Sequence, residues 1–502
     1  MPRPSPYEQV ASGIAAYLAE RQQRHGGFPG PDHYGVAFAV WLWSHFAPRF
    51  DPQIELALRR LESHLPRSHG EFNAYALLQC RQRLGPQGVD GILGRLRLDG
   101  RRTANWALLR AACRAHLGPW CSRLRAAAAG RLALGRYARG GFICDQRGVR
   151  SAAYHAFSGG LLADLWRAQR FPWAARAALR AAQAVLALVL PNGDAVYVGR
   201  GQHQIFGIGA LLWLLEAAAG MSGRDTFRAA ARRVFDYLLQ HRRADGSFPL
   251  VLQDDEPPEP WDPDASRPGW YSYNRYADYL PFLGCMFLRA AAPGVRPTGS
   301  APADAALPGM AVIVRARYTA VLSEPGGAPT NDLAFPYVCV DGESLFPCYG
   351  AEGRETPPGS LALPFGVLEG GRRYEFRDRL RYRLRDGALE GASASVRHAR
   401  RFEFREDGFV CRDEIAFRRS AIFSEFSPAN FLFRTLRPAA LGGFETWWHG
   451  ARARLALDAP AAVVPEAAVS ASGRLVALRN VRGRFTARRG DVLRTELRVE
   501  FP

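Results

Sequence analysis

The 502-residue chain contains no lysine, so all 66 of its basic residues are arginine. A complete lack of lysine is typical of GC-rich coding sequence. Its functional interpretation is that arginine binds planar carboxylates, sulfates or phosphates through two hydrogen bonds at once. The formal net charge of +19 also raises the encounter rate with polyanions. An acidic polymer is therefore one class of partner that the composition favours.

Paired cysteines and long apolar segments are also missing. The 8 cysteines form no CxxC pair, and several lie in apolar helical stretches where a thiol behaves as a small hydrophobic group, so neither a disulfide framework nor a cysteine metal site is expected. No stretch is apolar for long enough to predict a signal peptide or a membrane span. We therefore expect a cytoplasmic protein, or a periplasmic one if a leader is missing.

Nucleic-acid motifs are absent as well. The arginines are dispersed, and the sequence has no zinc-finger spacing, no RNP-like aromatic motif and no concentrated basic helix. Residues 199–201 do not form a phosphate loop, since the later Gly-Lys-Ser/Thr is lacking. Nucleic acid is not an expected partner, and the oligomeric state is left open.

The first 290 residues are predicted to be helical, with apolar Ala-, Leu- and Arg-rich segments between short glycine loops. Spacings of roughly 30 to 50 residues between the loops fit one helical hairpin per repeat, with glycine ending one helix before the chain reverses. Six such hairpins favour a closed α/α toroid over a solenoid. The loops lie at residues 25–28, 69–72, 98–100, 140–142, 192–194 and 245–248.

The pattern changes after residue 290. Residues 291–309 are rich in proline, glycine and alanine and are predicted to be a linker. Residues 310–502 contain short alternating segments separated by turn dipeptides such as Asp407-Gly408, which predicts an antiparallel β-sandwich. The fold class is thus α+β and multidomain, with strands predicted at residues 311–315, 337–340, 374–377, 402–404 and 409–415.

Three segments place His, Arg, Asn and Tyr side by side in otherwise apolar helical sequence. They are residues 153–157, 199–207 and 270–276, and each follows a glycine-rich loop and precedes an apolar helix. A helical barrel collects its active-site residues at such positions. These side-chain types suit removal of a proton next to a carboxylate, followed by cleavage of the bond beyond it.

Several short motifs resemble the heparinase II/III-like polysaccharide lyases. Residues 103–110 resemble the Asn-Trp helix start of that superfamily, and residues 153–158 resemble its Tyr-His-x-Tyr/Phe-Ser segment. Residues 318–323, 401–404 and 412–415 resemble strands of its β-domain. The resemblance implies a toroid followed by a β-sandwich, and β-elimination on a uronate-containing polysaccharide without a metal or other cofactor.

A uronate lyase must neutralise the carboxylate, remove the C5 proton and protonate the leaving oxygen at C4. The resemblance assigns the first task to Asn or Arg and the others to His and Tyr. The candidate catalytic residues are His155, His203, Tyr271 and Tyr273. The candidate substrate-binding residues are Asn105, Trp106, Arg200, Gln202, Asn274, Arg275 and His449.

Each candidate also has a structural interpretation. A helical His is often a core residue, Asn105 suits a helix N-cap, and large aromatic residues are usually packed in the interior. Two other functions stay open: a glycoside hydrolase, for which Asp145, Asp194 and Asp278 would supply the paired carboxylates, and a non-catalytic polysaccharide-binding protein.

Overall fold

A computed structural model of the protein describes residues 4–30, 33–117, 120–199, 201–252, 275–292, 307, 309–324, 337–340, 343–344, 363–428, 430–431, 433–440, 442–448, 450–469 and 475–501. The chain divides into two compact units, Met1–Ala306 and Leu307–Pro502. Most of the predicted linker lies outside the described residues, so the predicted bounds 1–290, 291–309 and 310–502 stay predictions.

Twelve helices and one short hairpin make up the described part of the first unit. The helices are α1 (Pro6–Arg21), α2 (Gly35–His45), α3 (Asp51–Ser63), α4 (Gly70–Leu84), α5 (Pro86–Arg95), α6 (Ala104–His116), α7 (Trp120–Tyr137), α8 (Ala152–Gln169), α9 (Pro172–Leu186), α10 (Ile205–Ser222), α11 (Asp225–Gln240) and α12 (Tyr276–Ala291). The hairpin strands are β1 (Ala138–Arg139) and β2 (Phe142–Ile143).

The even-numbered helices form a closed inner ring. Helix α2 packs against α4, α4 against α6, α6 against α8, α8 against α10, and α10 against α12, which returns to α2. Each odd-numbered helix lies outside and packs against an inner helix next to it in sequence. The predicted α/α toroid of six helical hairpins is confirmed.

Hydrophobic patterning explains which helices are inside. In α8 every residue from Ala152 to Trp166 is buried, including its polar positions, whereas α11 buries only one stripe of residues and exposes its charged side. Helix α10 is long and apolar enough, by length and composition, to cross a membrane, and 78% of that segment is buried inside the protein. Its apolar character is accounted for by its place in the inner ring.

Two glycines allow close approach at the mouth of the ring. A Cβ atom at Gly35 would collide with the carbonyl oxygen of Ala277, and one at Gly70 would collide with that of Arg97. Both glycines begin an inner helix. Because neither position has room for a side chain, the loops before α2 and α4 can pack directly against neighbouring backbone.

The second unit is built from antiparallel strands and a one-turn helix. The strands are β3 (Met310–Val314), β4 (Thr319–Ser323), β5 (Tyr337–Val340), β6 (Glu343–Ser344), β7 (Phe365–Leu368), β8 (Arg373–Glu375), β9 (Arg381–Arg385), β10 (Ala388–Ala392), β11 (Val396–Arg405), β12 (Gly408–Phe417), β13 (Ala421–Ser427), β14 (Arg437–Pro438), β15 (Phe444–Trp448), β16 (Ala451–Leu457), β17 (Ala462–Val469), β18 (Leu475–Ala487) and β19 (Val492–Glu500), with α13 (Phe376–Arg379) after β8.

These strands form sheets with two buried cores, and the predicted antiparallel β-sandwich is confirmed. The orders are β14-β15-β16-β19-β12-β11-β10-β9, β17-β18-β13-β7-β8 and β3-β4-β5-β6. The strand predicted over residues 374–377 was wrong at its end. It stops at Glu375, because the chain turns into α13 and buries Phe376 completely.

Candidate active site at the mouth of the ring

A pocket of about 460 Å³ lies where the six inner helices begin. Every inner helix contributes to its wall, either from its first turns or from the loop just before it. Because helix N-termini carry partial positive charge and unpaired N–H groups, this end of the ring favours an anionic ligand. The lining residues are Tyr34, His69, Phe72, Arg101, Asn105, Trp106, Tyr154, Phe206 and Tyr279.

His69 is the histidine in this wall. It has a left-handed backbone with φ of 62°, and its N–H donates to Oδ2 of Asp99 at 2.8 Å. Its Nδ1 hydrogen-bonds with Oγ of Ser68 at 3.0 Å, and no described residue hydrogen-bonds to its Nε2. Burial, and then the charge of His33, lower the pKa of His69 to about 3. His69 is therefore a neutral imidazole at neutral pH, with one ring nitrogen left for a substrate proton.

A hydrogen-bonded support holds the His69 ring in place. The ring stacks on that of His33, with centroids 4.3 Å apart. Oδ1 of the buried Asp278 accepts from the N–H groups of His33, Tyr34 and Gly35, at 2.8 to 2.9 Å.

The second carboxylate oxygen of Asp278 and an amide complete this support. Oδ2 of Asp278 lies 3.2 Å from Nδ1 of His33. Nδ2 of the buried Asn73 donates to the carbonyl oxygens of both His33 and His69, at 2.8 and 3.0 Å. The loops before α2 and α4 are thus fixed to each other and to α12.

Three tyrosines share the pocket with His69. Tyr34, Tyr154 and Tyr279 are each more than nine-tenths buried, and the Phe206 ring lies 5.6 Å from Tyr154 and 5.5 Å from Tyr279. Burial raises the pKa of Tyr34 well above its usual value, and the neighbouring Tyr279 adds to the effect. The phenol of Tyr34 therefore keeps its proton at neutral pH and can act as an acid.

Helix α6 supplies an amide and a cation. Oδ1 of Asn105 accepts from the Thr103 hydroxyl at 2.5 Å, and among the described residues none accepts a hydrogen bond from its Nδ2. The guanidinium of Arg101 lies 5.0 Å from the centre of the Trp106 ring, and its side chain is about half exposed. Both groups can donate to a carboxylate in the pocket. Asn105 and Trp106, two of the candidate substrate-binding residues, thus line the pocket.

His155, a candidate catalytic residue, lies in the interior and does not line the pocket. The ring is completely buried, and it stacks on Phe142 with centroids 4.2 Å apart. Its Nδ1 accepts from the N–H of Ile143 at 2.9 Å, so Nε2 carries the proton and donates to the carbonyl of Ala181 at 2.9 Å. Burial lowers the pKa of His155 to about 4. Both nitrogens are occupied by backbone, and no lone pair is left for a substrate.

His203 and Gln202 lie in the loop before α10, away from the pocket wall. Both are buried, the Nδ1 of His203 lies 3.4 Å from Oδ1 of Asp194, and Nε2 of Gln202 donates to the carbonyl of Tyr197 at 3.0 Å. The structure therefore does not bring these two candidates together with His69.

Arg275 comes directly before α12, and its carbonyl accepts from the N–H groups of Asp278 and Tyr279. Its positive charge helps to lower the pKa of His69, after burial, His33 and Arg101, so the guanidinium acts electrostatically on the site. The remaining candidates lie outside the described residues: Arg200, Tyr271, Tyr273, Asn274 and His449.

Sequence reasoning missed His33, Tyr34, His69 and Tyr279 as site residues, and Tyr154 within a segment that it did select. A sequence signal for three of them was present. His33-Tyr34 and His69 each directly precede a helix that begins with glycine. Among the residues that the structure describes, no group of three or more His, Cys, Asp or Glu side chains is arranged to hold a metal ion.

Neither family models nor curated protein sequences match this chain. Among solved structures it is similar to heparinase III, with 9% identity and a TM-score of 0.52 over 99% of this chain and 85% of that one. It is also similar to a variant of the chondroitin AC lyase of Streptomyces coelicolor A3, with 12% identity and a TM-score of 0.50 over 99% of this chain and 80% of that one. The chain therefore has the heparinase-like fold, an α/α toroid followed by an antiparallel β-sandwich.

Proposed function

We propose that the protein is a polysaccharide lyase that cleaves a uronate-containing polysaccharide by β-elimination. The observation that carries the proposal is the pocket at the mouth of the ring. It combines the neutral His69, three buried tyrosines, an amide and a guanidinium, and its described lining contains no Asp or Glu. The similarity to heparinase III and to a chondroitin AC lyase supports the same reading at the level of fold.

The uronate carboxylate would bind at the start of α6. Nδ2 of Asn105 and the guanidinium of Arg101 are the donors on that side of the pocket. Removal of the C5 proton turns the carboxylate into an enolate-like group with more negative charge on its oxygens. Preorganised donors and helix N-termini stabilise that charge more strongly than the ground state, and this lowers the barrier.

His69 would act as the base and a tyrosine as the acid. The Nε2 lone pair of His69 takes the proton from C5, and the electron pair of the C–H bond forms the C4–C5 double bond. The C4–O bond breaks, and the leaving oxygen takes a proton from the hydroxyl of Tyr34, Tyr154 or Tyr279. The proton on His69 then returns to solvent and the phenolate is reprotonated, so no co-reactant is consumed.

The described residues give less support to a hydrolase. Hydrolysis with acid and base carboxylates needs two of them across the cleft. Asp145, Asp194 and Asp278 are buried and do not line the pocket, and Asp278 is held by three backbone N–H groups.

The test is ultraviolet absorbance during incubation with alginate, glucuronan, heparan, hyaluronan, pectate and bacterial exopolysaccharides. Elimination creates a double bond conjugated with the carboxylate, whereas hydrolysis does not. A rising signal on any of these polymers is the expected result. New reducing ends without absorbance would indicate a hydrolase, and binding without either product would indicate a non-catalytic binding protein.

A further inference from the structure

Helix α7 carries a line of large apolar side chains on its outer surface. Trp120 is 73% exposed, Leu124 58% and Leu132 74%. They are spaced by four and eight residues, so they point into an arc of roughly 120° around the helix, over a length of roughly 18 Å. We call these three residues the α7 ridge. Exposed Trp and Leu side chains grouped in this way usually mark a contact surface.

The charges on α7 all have one sign. Its 18 residues contain no Asp or Glu, and its arginines are Arg123, Arg125, Arg131 and Arg136. Arg123 and Arg131 lie over the rings of Phe171 and Trp173, at 5.6 and 5.7 Å, so these guanidiniums are held beside the helix. Within α7, the ridge is therefore bordered by positive charge alone.

Two other outer helices, α3 and α11, differ in this respect. Helix α11 exposes Asp225 and Asp236 in ion pairs with Arg228 and Arg232, and α3 pairs Glu55 with Arg59. Their exposed sides are mixed in charge and suit water. The exposed side of α7 instead resembles an interfacial helix, with Trp, Leu and Arg side chains on one broad face and no acidic residue.

Charge complementarity indicates which kind of partner would contact the α7 ridge. A second copy docked ridge to ridge would bring arginines together without a carboxylate from either α7. An anionic lipid surface offers phosphate groups to the arginines and an acyl boundary to Trp and Leu, and it needs no matching groove for a convex helix.

We propose that α7 docks the protein onto an anionic lipid surface, with the α7 ridge inserted at the headgroup boundary. The net charge of +19 adds long-range attraction to such a surface. The proposal is independent of the chemistry at the mouth of the ring.

Co-sedimentation of the full chain with vesicles tests it. Vesicles of phosphatidylcholine with phosphatidylglycerol are compared with vesicles of phosphatidylcholine alone, at low and at physiological salt. We expect binding to the anionic vesicles only, and a loss of about tenfold or more in the Trp120→Gln/Leu132→Gln variant. The matched control is Leu98→Gln, which removes an exposed leucine outside α7 and should leave binding unchanged.

Two outcomes would overturn the proposal. One is equal binding of the native protein and the ridge variant, since attraction by charge alone does not need the ridge. The other is loss of binding to soluble polyanions, such as alginate, in the same variant, which would make the ridge a polysaccharide surface. Because both substituted side chains are exposed, an unchanged melting temperature should exclude misfolding as the cause.

Cys121 provides a direct reporter of insertion. It is exposed beside Trp120, whereas the other described cysteines are buried. An environment-sensitive fluorophore on Cys121, in a chain with Cys348→Ser, should shift to shorter wavelength with anionic vesicles. An unshifted spectrum while the protein is bound would contradict insertion of the α7 ridge.

Discussion

At the residue scale, two histidines with lowered pKa values have different surroundings. His69 keeps one ring nitrogen free of partners among the described residues, whereas His155 uses both nitrogens to pair buried backbone groups. A lowered pKa therefore does not by itself indicate catalysis. The proposed role of His69 as the base instead depends on its second ring nitrogen, which has no partner among the described residues.

The pKa of His69 predicts an unusual pH profile. Because this pKa is lowered to about 3, the base stays neutral as the pH falls well below the ordinary histidine range. We expect kcat/KM on a cleaved polymer to be nearly constant between pH 7 and about pH 5, where an unshifted histidine would already be protonated. Initial rates measured across this range check it, and a fall centred near pH 6.5 would contradict it.

Loss of His155 should lower stability more than catalysis. His155→Ala leaves the Ile143 N–H without its acceptor, removes a hydrogen bond to the Ala181 carbonyl and opens a cavity, at a cost of about 2–5 kcal/mol. We expect a lower urea midpoint and near-native kcat for the folded fraction. A native midpoint together with abolished kcat would restore His155 as a catalytic residue.

The neighbouring Tyr154 shows why the sequence does not decide which of two adjacent side chains faces the pocket. The sequence pattern selected the segment that contains both residues, which begins an inner helix. One residue along a helix turns the side chain by roughly 100°, and that rotation places Tyr154 in the pocket and His155 in the core. Which of two adjacent polar residues faces the mouth depends on the packing of α8 against its neighbours, and the local pattern does not record that packing.

At the element scale, Asp278 links the start of α12 to the loop before α2. Its carboxylate accepts hydrogen bonds from three consecutive N–H groups. In a closed interior, a single water cannot replace the carboxylate as their acceptor. This carboxylate therefore supports the His33–His69 stack from a different helix. The sequence indicates Asp278 only as a possible hydrolase carboxylate, because the contacts it makes join residues 243 to 245 positions apart.

Two substitutions of Asp278 should distinguish its role as a hydrogen-bond acceptor from the effect of its charge. Asp278→Ala leaves the three N–H groups unpaired, and we expect a loss of about 3 kcal/mol or more in the free energy of unfolding. Asp278→Asn keeps one acceptor oxygen and should lose clearly less. Chemical denaturation of the two variants checks this order, and equal losses would show that the carboxylate charge, rather than acceptance from the loop, is what stabilises the site.

At the scale of the whole molecule, the sequence predicted the architecture better than the site. Six glycine loops and the change of pattern after residue 290 predicted the toroid and the β-sandwich, since hydrophobic periodicity is a local property. The inner ring is visible in the sequence as helices that are apolar on all sides, such as α8 and α10. Residues of all six hairpins line the pocket, so which side chains face it depends on long-range packing.

Acid should destabilise the whole protein in a defined range. His69 and His155 have pKa values of about 3 and about 4 when folded, against 6.5 unperturbed. As the pH falls from 6.5 to about 4 the unfolded chain binds protons that the folded chain does not, so stability decreases. The buried Asp413, whose pKa is lowered to about 2 chiefly by Arg400 against the effect of burial, contributes stability that is lost only in stronger acid. Melting temperatures across this range check the sign, and a rise on acidification would contradict it.

The proposed role of His69 as the base of an elimination reaction can be tested by one comparison of rates. On a polymer that the protein cleaves, the initial rate of ultraviolet absorbance increase is measured for the native chain, for His69→Gln and for His64→Gln, which changes an exposed histidine at the end of α3. We expect a rate lower by about 10²-fold or more for His69→Gln and an unchanged rate for His64→Gln. A native rate in His69→Gln, with its melting temperature unchanged, would contradict it.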